Sequence, residues 1–392
     1  MIETRFKKTD IGEIPEDWEV LTFESLCRPN SIVRGPFGGA LKKEIFISSG
    51  FKVYEQRNAI YQTLKIGDYY IDKKKYNEMK RFAIKEGDFI VSCSGTIGRI
   101  FQIPSLFPAG IINQALLKFA VETKYVNPQY FYYYFSSSLF QYRIIDDTQG
   151  GAMKNLIGMN VFRKTIIPIP PMAEQLRIAI ILSDMDALLS ALNKKIEKKR
   201  LIKQGSMQKL LTGKKRVTGF NESWVEKKLE EVLSIGNGRD YKHLCSGFVP
   251  VFGTGGILCY VDDWLYEGET VCIGRKGTIN EPIYYNGKIW TVDTLFYTYK
   301  FINSYPKFVY YLFQTIDWLI YNEATGVPSL SKINIYQIQV AIPTLSEQTA
   351  IASILSDMDK EIEELEAERV KYEQVKQAIL QQLLTGKIRL ID

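Results

Sequence analysis

Basic, amide and hydroxyl side chains recur in the glycine-rich turns of this 392-residue chain. Arginine and lysine attract phosphate groups, whereas arginine, asparagine and hydroxyl side chains can hydrogen-bond to the edges of nucleic-acid bases. The candidates in the first half of the chain are Arg34, Lys42, Lys43, Arg57, Asn58, Ser94, Thr96, Arg99 and Lys154. The candidates in the second half are Arg239, Lys242, Arg275, Lys276, Thr278 and Asn280. These residue types predict nucleic-acid binding.

Motifs for catalysis or cofactor binding are absent from the sequence. The five cysteines form no C-x-x-C pair, which argues against a disulfide framework or a zinc site. His243 is the single histidine, so at most one histidine-based catalytic site is available. The glycine-rich stretches at 35–39 and 253–256 lack the spacing of nucleotide-binding loops, and we interpret them as turns. No catalytic residue and no metal ligand is predicted.

Asn127-Pro128-Gln129-Tyr130 is similar to the Asn-Pro-Pro-Tyr element with which amino-methyltransferases hold a flipped base. The second proline is missing here. The matching place in the second half of the chain reads Tyr305-Pro306-Lys307-Phe308, which keeps the proline and loses the asparagine. We therefore interpret Pro128 and Pro306 as the starts of two buried aromatic helices.

The elements that would position the candidate residues are repeated. Leu182–Asp186 and Leu355–Asp359 both read Leu-Ser-Asp-Met-Asp, at an offset of 173 positions (355 − 182). Leu210–Lys214 and Leu383–Lys387 both read Leu-Leu-Thr-Gly-Lys at the same offset. A repeat of this length exceeds the roughly 20–50 residues of a solenoid unit. Each copy is therefore predicted to be a domain with its own connecting element.

The predicted fold class is α+β, with two similar mixed α/β domains and two long antiparallel helices that form a coiled coil with pseudo-two-fold symmetry. The expected boundaries are 1–170 for the first domain, 171–215 for the first helical segment, 216–342 for the second domain and 343–392 for the second helical segment. Each domain ends in a proline-bearing linker, which stays extended until Glu174 or Glu347 opens a helix.

The two predicted helices carry a heptad seam in which spacings of four and three alternate. The first seam is Met185, Leu189, Leu192, Ile196, Lys199, Lys203, Ser206 and Leu210. The second seam is Met358, Ile362, Leu365, Arg369, Tyr372, Lys376, Ile379 and Leu383. Lysines flank the first seam and glutamates flank the second, which predicts that the helices pair with each other. Two separate, solvated helices are the alternative.

The net charge of +6 is unevenly distributed. Residues 1–175 carry +5, 176–216 carry +8, 217–348 carry −4 and 349–392 carry −3. An acidic second domain is unusual for a DNA-binding module, so a coiled-coil scaffold that joins two partner-binding domains is the alternative function. An enzyme with an unrecognised active site is a third possible function.

Without a long apolar run or a signal peptide, we expect a cytoplasmic protein with no membrane contact.

The duplicated plan resembles the specificity subunit of type I restriction-modification systems over essentially the whole chain. The resemblance rests on the opening Ile11–Trp18, the linkers that end in Glu-Gln, and the two repeated five-residue motifs. It implies a non-catalytic subunit with two target recognition domains, each of which reads one half of an asymmetric, bipartite double-stranded DNA site.

The resemblance also implies partners. The paired helices would set the spacer between half-sites and dock two methyltransferase subunits, which use S-adenosylmethionine. A translocating restriction subunit, which uses ATP and Mg, would join them. Mapped onto this chain, the recognition loops of the first domain would lie at 35–43, 56–58, 94–99 and 149–154. Those of the second would lie at 236–242, 253–256, 274–280 and 325–331.

Overall fold

The computed structural model describes residues 5–146 and 155–391. Its internal contacts divide the chain into two compact units. Unit 1 comprises Met1–Ser190 and Val370–Asp392, and unit 2 comprises Ala191–Arg369. Each unit therefore contains one domain together with part of each long helix.

Unit 1 is built from short strands and helices. Its strands are β1 (Phe6–Thr9), β2 (Gly12–Pro15), β3 (Glu19–Thr22), β4 (Val33–Arg34), β5 (Phe51–Tyr54), β6 (Tyr70–Ile71), β7 (Phe89–Ser92), β8 (Ile100–Gln102), β9 (Gly110–Ile112), β10 (Leu116–Phe119), β11 (Ile145–Asp146), β12 (Asn155–Leu156) and β13 (Ile166–Ile169). Its helices are α1 (Gln56–Ile60), α2 (Lys73–Glu78), α3 (Pro128–Ser136), α4 (Ser138–Ile144), α5 (Met159–Lys164) and the first part of α6 (Met172–Leu210). Short 3-10 helices cover Gly38–Leu41, Lys43–Ile45 and Lys80–Phe82.

The strands of unit 1 form two main sheets. One is antiparallel, in the order β4-β10-β7-β8. The other has the order β6-β5-β9, and β5 and β9 run parallel. Aromatic rings fill the core behind the first sheet: the ring centroid of Phe23 lies 4.9 Å from that of Phe119 and 4.5 Å from that of Phe162. Such ring pairs add to the stability that burial alone gives.

Unit 2 repeats the plan with longer strands. They are β14 (Val225–Lys228), β15 (Ser234–Asn237), β16 (Ser246–Gly253), β17 (Gly256–Val261), β18 (Tyr266–Gly274), β19 (Ile283–Thr291), β20 (Leu295–Tyr299) and β21 (Gln339–Ile342). The helices are α7 (Leu229–Val232), α8 (Pro306–Phe313), α9 (Lys332–Tyr336) and α10 (Leu345–Leu384), with a 3-10 helix at Trp318–Tyr321. One sheet runs in the order β15-β20-β18-β19-β16-β17, and β16 and β19 are parallel, as β5 and β9 are in unit 1.

The predicted aromatic helices and extended linkers are confirmed. Helices α3 and α8 begin at Pro128 and Pro306, and the side chain of Asn127 caps α3 by accepting from two backbone N–H groups. Both helices bury most of their aromatic side chains. The linkers form β13 and β21, which pair antiparallel with the entry strands β3 and β14.

Two long helices follow the linkers. Helix α6 has 39 residues and α10 has 40, and they begin two residues before the predicted starts at Glu174 and Glu347. All sixteen predicted seam positions are buried or half-buried, as a helix pair requires. The α+β fold with two similar domains and two long helices is therefore confirmed.

The polar middle of the first seam is filled by ion pairs. In unit 2, Lys199 and Arg200 of α6 bind Glu361 and Glu366 of α10 at 2.6 and 2.5 Å. Lys203 binds Asp359. From Lys199 to Lys203 the partner shifts from Glu361 back to Asp359, and toward Leu210 the unit 2 core also holds Leu355. The helices thus pair within the unit, as the charge pattern predicts, and run antiparallel, as the pseudo-two-fold symmetry predicts.

Candidate nucleic-acid interface

Three of the predicted recognition loops meet at one edge of unit 2. The backbone N–H of Gly277 donates to Pro328 O at 2.9 Å, and the N–H of Leu330 donates to Arg275 O at 2.9 Å. A Cβ placed on Gly277 would lie 3.8 Å from Thr254 Oγ1, so the 253–256 turn lies beside this loop. The loops at 253–256, 274–280 and 325–331 therefore form one surface.

A close backbone approach fixes this edge in both units. A Cβ on Gly238 would lie 1.8 Å from Val292 O, and a Cβ on Gly35 would lie 1.8 Å from Asn113 O. No larger residue fits at either position without moving the backbone. The two glycines follow β15 and β4, so they hold the same place in the repeated fold.

A pocket of about 700 Å³ opens on the unit 2 surface. Its basic residues are Arg275, Lys276 and Lys332, and Phe296 contributes an apolar wall. Two carboxylates, Asp293 and Glu323, also line it. Glu323 is engaged by the protein, because its Oε1 accepts from Ser331 N at 3.2 Å and from Asn334 Nδ2.

Two cations share the wall of this pocket without a carboxylate partner within the described part of unit 2. The Arg275 guanidinium and the Lys332 ammonium lie 5.9 and 5.8 Å from the Phe296 ring centroid. Arg275 Nη1 donates to Asp293 O at 3.3 Å, and Lys332 Nζ donates to Ile235 O at 2.7 Å. Burial and the charge of Arg275 lower the pKa of Lys332. Neighbouring cations that form no salt bridge favour binding of an external anion.

The other predicted residues of unit 2 are dispersed. Arg239, Lys242 and Asn280 are exposed, and Thr278 is half-buried. None of these four lines the pocket, whereas Arg275 and Lys276 do. Lys332 was not predicted. It follows Ser331, which caps α9, so in the sequence it is an ordinary helix-start lysine.

Arg34 is the predicted residue nearest the equivalent edge of unit 1. It stands on β4 opposite Leu117, where unit 2 has Asn237 opposite Phe296. Its Nε is buried without a hydrogen-bond partner in the described residues. The neighbouring Cys93 thiol is buried, which raises its pKa to about 11 although Arg34 acts in the opposite direction. This thiol stays protonated at neutral pH.

Ser94, Thr96 and Arg99 are exposed on the loop between β7 and β8, in the place that 276–281 holds in unit 2. Lys42 and Lys43 are exposed at the 3-10 turns before β5. Lys154 and the loop at 149–154 lie outside the described residues.

The structure does not support a base-reading role for Asn58. The side chain is fully buried. Its Oδ1 accepts from Glu55 N at 2.8 Å, and its Nδ2 donates to Thr63 O and Ile66 O. Arg57 is exposed but binds Glu55 at 2.9 Å. Both side chains therefore bind groups at the start of α1. The three-residue spacing of Glu55 and Asn58 is typical of a helix capping box, and it is the sequence signal that could have indicated this role.

Among residues 5–146 and 155–391, no helix is long and apolar enough to cross a membrane. No group of three His, Cys, Asp or Glu side chains in the same ranges could hold a metal ion.

Comparison with known proteins supplies the family. The family model for the type I restriction modification DNA specificity domain matches residues 15–200 and 221–372. The type I restriction enzyme MjaVIII specificity subunit of Methanocaldococcus jannaschii is 26% identical over 436 residues, which cover 99% of this chain and 96% of the relative. The putative MjaX specificity subunit of the same organism is 26% identical over 439 residues, covering 99% and 97%.

The fold is also similar to a solved structure. The S subunit of a type I restriction-modification system from M. genitalium has a TM-score of 0.59 at 19% identity, over 93% of this chain and 96% of that chain. The fold and its basic loops thus define a protein with two related domains on a shared pair of long helices. The chain belongs to the type I restriction modification DNA specificity family and is the specificity subunit of such a system. The predicted family is confirmed.

Proposed function

We propose that this chain recognises an asymmetric DNA site in two parts, with one half-site read by the domain of each unit. The family supports DNA recognition. The loops support two unlike half-sites, because corresponding positions carry different chemistry. The backbone N–H of Cys93 donates to Ala115 O, and that of Arg275 donates to Thr294 O at the corresponding place in unit 2. The Cys93 side chain is a buried thiol, whereas the Arg275 side chain is an exposed cation.

Arg275 and Lys332, which have no carboxylate partner in the described part of the chain, carry the proposal for unit 2. A DNA phosphate in the pocket would neutralise both, and each phosphate contact releases counterions from the duplex. Arg275 could instead read a guanine edge bidentately, and Lys332 would then bind the adjacent phosphate.

The first prediction tests this pocket. In a complex with the methyltransferase partner, Arg275→Gln and Lys332→Gln should each weaken binding to the cognate duplex, because each removes a phosphate contact. Each variant should also reduce the slope of log K against log salt by about 0.9. Fluorescence anisotropy over a salt series measures both quantities.

Lys300→Gln is the matched control. Lys300 is exposed and follows the end of β20 opposite the pocket, so the same charge is lost elsewhere on the domain. Equal binding and equal salt slopes for all three variants would contradict the pocket assignment.

We further propose that two methyltransferase subunits dock on the helices and supply the chemistry. Exposed aliphatic residues at repeat-related positions support two docking faces: Ile202 of α6 in unit 2 is 45% exposed and Val375 of α10 in unit 1 is 37% exposed. In this proposal, the methyltransferase subunits use S-adenosylmethionine, and the complex is in the cytoplasm. Restriction subunits use ATP and Mg, and this chain contributes recognition without catalysis.

The second prediction concerns this stoichiometry. Native mass spectrometry should find two methyltransferase subunits per wild-type chain. Ile202→Glu and Val375→Glu should each reduce the number to one, because a carboxylate would be buried in the apolar contact. Two bound subunits in both variants would contradict docking at these residues.

The acidic second domain favours one other function. Residues 217–348 carry a net charge of −4, which suits a protein-binding scaffold better than a DNA reader. A DNA titration that is insensitive to salt and sequence, with partner binding intact, would favour the scaffold.

A further inference from the structure

Four side chains join the domain of unit 1 to both long helices. Tyr133 of α3 donates its hydroxyl hydrogen to Asp186 Oδ2 of α6 at 2.7 Å and lies 3.3 Å from Ser183 Oγ. Lys376 of α10 binds the other carboxylate oxygen of Asp186, and its Nζ lies 5.8 Å from the Tyr133 ring centroid. A domain helix, α6 and α10 therefore meet at one carboxylate.

Unit 2 contains the same junction with the two helices exchanged. Tyr311 of α8 donates to Asp359 Oδ2 of α10 at 2.7 Å and lies 3.2 Å from Ser356 Oγ. Lys203 of α6 binds Asp359 Oδ1, and its Nζ lies 5.5 Å from the Tyr311 ring centroid. We call these two sets the Tyr-Asp-Lys junctions.

The junctions explain the repeated Leu-Ser-Asp-Met-Asp motif. Its leucine is buried in the domain core, its serine and second aspartate bind the tyrosine, and its first aspartate, Asp184 or Asp357, is exposed. Only one of the two aspartates in each motif therefore takes part in the junction. The exposed aspartate offers a matched control two residues away on the same helix.

A second contact ties each domain entry to both helices. Glu174, which is 1% exposed, accepts from Trp18 Nε1 at 3.0 Å and from Arg389 Nε at 2.8 Å. Glu347 likewise accepts from Trp224 Nε1 at 3.1 Å and from Arg216 Nε at 2.7 Å. Arg389 and Arg216 each follow the end of the helix that does not carry the glutamate. Each domain is thus held at two points by both helices.

We propose that the Tyr-Asp-Lys junctions are positioning contacts that fix each domain on the helix pair and so determine how strictly the protein enforces one spacer length. The inference rests on the proposed two-part DNA recognition. The charged hydrogen bonds join elements far apart in sequence, since Asp186 and Lys376 are separated by 190 residues. Without them, the Trp18–Glu174–Arg389 and Trp224–Glu347–Arg216 contacts remain as a single point of attachment, about which a domain can rock. A shift of one base-pair step is only about 3.4 Å along the duplex.

The test is methylation of duplexes that carry both half-sites with the native spacer or a spacer one base pair longer or shorter. The wild-type chain is assembled with its methyltransferase partner, and the ratio of altered-spacer to native-spacer methylation is measured. Asp186→Ala and Asp359→Ala should each raise this ratio about tenfold, as expected for loss of a charge-assisted hydrogen bond. The half-site sequences should stay unchanged.

Asp184→Ala and Asp357→Ala should leave the ratio at the wild-type value. Where an alanine variant does not fold, Tyr133→Phe or Tyr311→Phe removes only the hydroxyl group and should still raise the ratio. A merely structural contact would lower methylation at every spacer equally, and an unchanged ratio would overturn the inference. A wild-type complex that methylates no bipartite sequence would instead contradict the proposed function.

Discussion

At the residue scale, the buried cation of the unit 1 core and the two cations of the unit 2 pocket differ in whether a carboxylate pairs with them. Lys118, almost fully buried in β10, lies 3.6 Å from Asp88 Oδ2 and so has a counter-charge inside the core of unit 1. Arg275 and Lys332 have no carboxylate partner among the described residues and line an open pocket. A cation without a counter-charge lowers stability unless water or a bound anion compensates its charge. An external phosphate should therefore bind favourably in this pocket.

Lys118→Met should destabilise unit 1 by about 3 kcal/mol at neutral pH, because it leaves the buried Asp88 carboxylate without its cation. Burial raises the pKa of Asp88 and Lys118 opposes that rise, so the pKa of Asp88 rises further in the variant. A carboxyl whose pKa is higher in the folded state costs stability only when ionised.

The loss should therefore shrink as the pH falls through the folded-state pKa of Asp88. Urea unfolding at pH 7 and pH 5 measures it. Lys85→Met, which removes an exposed charge near Asp88, should have little effect. An equal loss at both pH values in Lys118→Met would contradict this account.

Residue roles were the least predictable part of the site. Arg275 and Lys276 were predicted because they stand in a glycine-rich turn, and both line the pocket. Lys332 was missed because only the folding of the 325–331 loop against Arg275 brings it there. Asn58 was misassigned because its side-chain amide hydrogen-bonds to the backbone at the start of α1. Residue type alone does not distinguish an asparagine that caps a helix from one that contacts a base.

At the element scale, one pair of corresponding positions in the two long helices differs in the size of the side chains. Helix α10 has Ala378-Ile379, and Ile379 packs against the core of unit 1. Helix α6 has Gly205-Ser206 in the corresponding place. A pocket of about 540 Å³ opens there, lined in part by Ile202, Ile354 and Met358. The small residues leave apolar surface of unit 2 uncovered.

Ser206→Ile should stabilise the protein by about 1–2 kcal/mol, because the added carbons would cover this apolar surface. Ile379→Ser should destabilise it by about 2–4 kcal/mol for the opposite reason. Differential scanning calorimetry of the full chain measures both. Gln208→Ile adds an apolar side chain at an exposed position of α6 and should give no gain. A gain as large as that of Ser206→Ile would contradict the cavity explanation.

The elements themselves were largely predictable, since the heptad seam, the prolines and the repeat are all local patterns. The polar seam positions Lys203 and Lys376 were predicted as seam residues without their partners. Those partners lie 156 and 190 residues away, so only the tertiary fold identifies them.

At the scale of the whole molecule, α6 and α10 each run without interruption through both units. The junction at Asp186 lies in unit 1 and the junction at Asp359 in unit 2. Asp186 and Lys203 are 17 positions apart along α6 (203 − 186), and Asp359 and Lys376 are 17 positions apart along α10 (376 − 359), so the two helices carry the junction residues at equal spacing. Lengthening only α6 would break the register of one junction, so both helices must change together.

Inserting one heptad after Lys194 and one after Ala367 should preserve both junctions and add about 10 Å of helix. At about 3.4 Å per base-pair step, the spacer should lengthen by about three base pairs, with both half-sites unchanged. Sequencing of methylated positions in DNA modified by the variant complex measures this. An altered half-site, or an unchanged spacer, would contradict the role of the helices as a spacer.

Two unlike domains that read a two-part DNA site should leave that pattern in the DNA that the complex modifies. The most direct test is to map every methylated base in DNA modified by this chain with its methyltransferase partner. We expect one asymmetric sequence of two half-sites at a fixed spacing. Replacing residues 216–342 with the second domain of a relative should change one half-site and leave the other intact. Methylation at a single continuous sequence, or without sequence preference, would contradict the account.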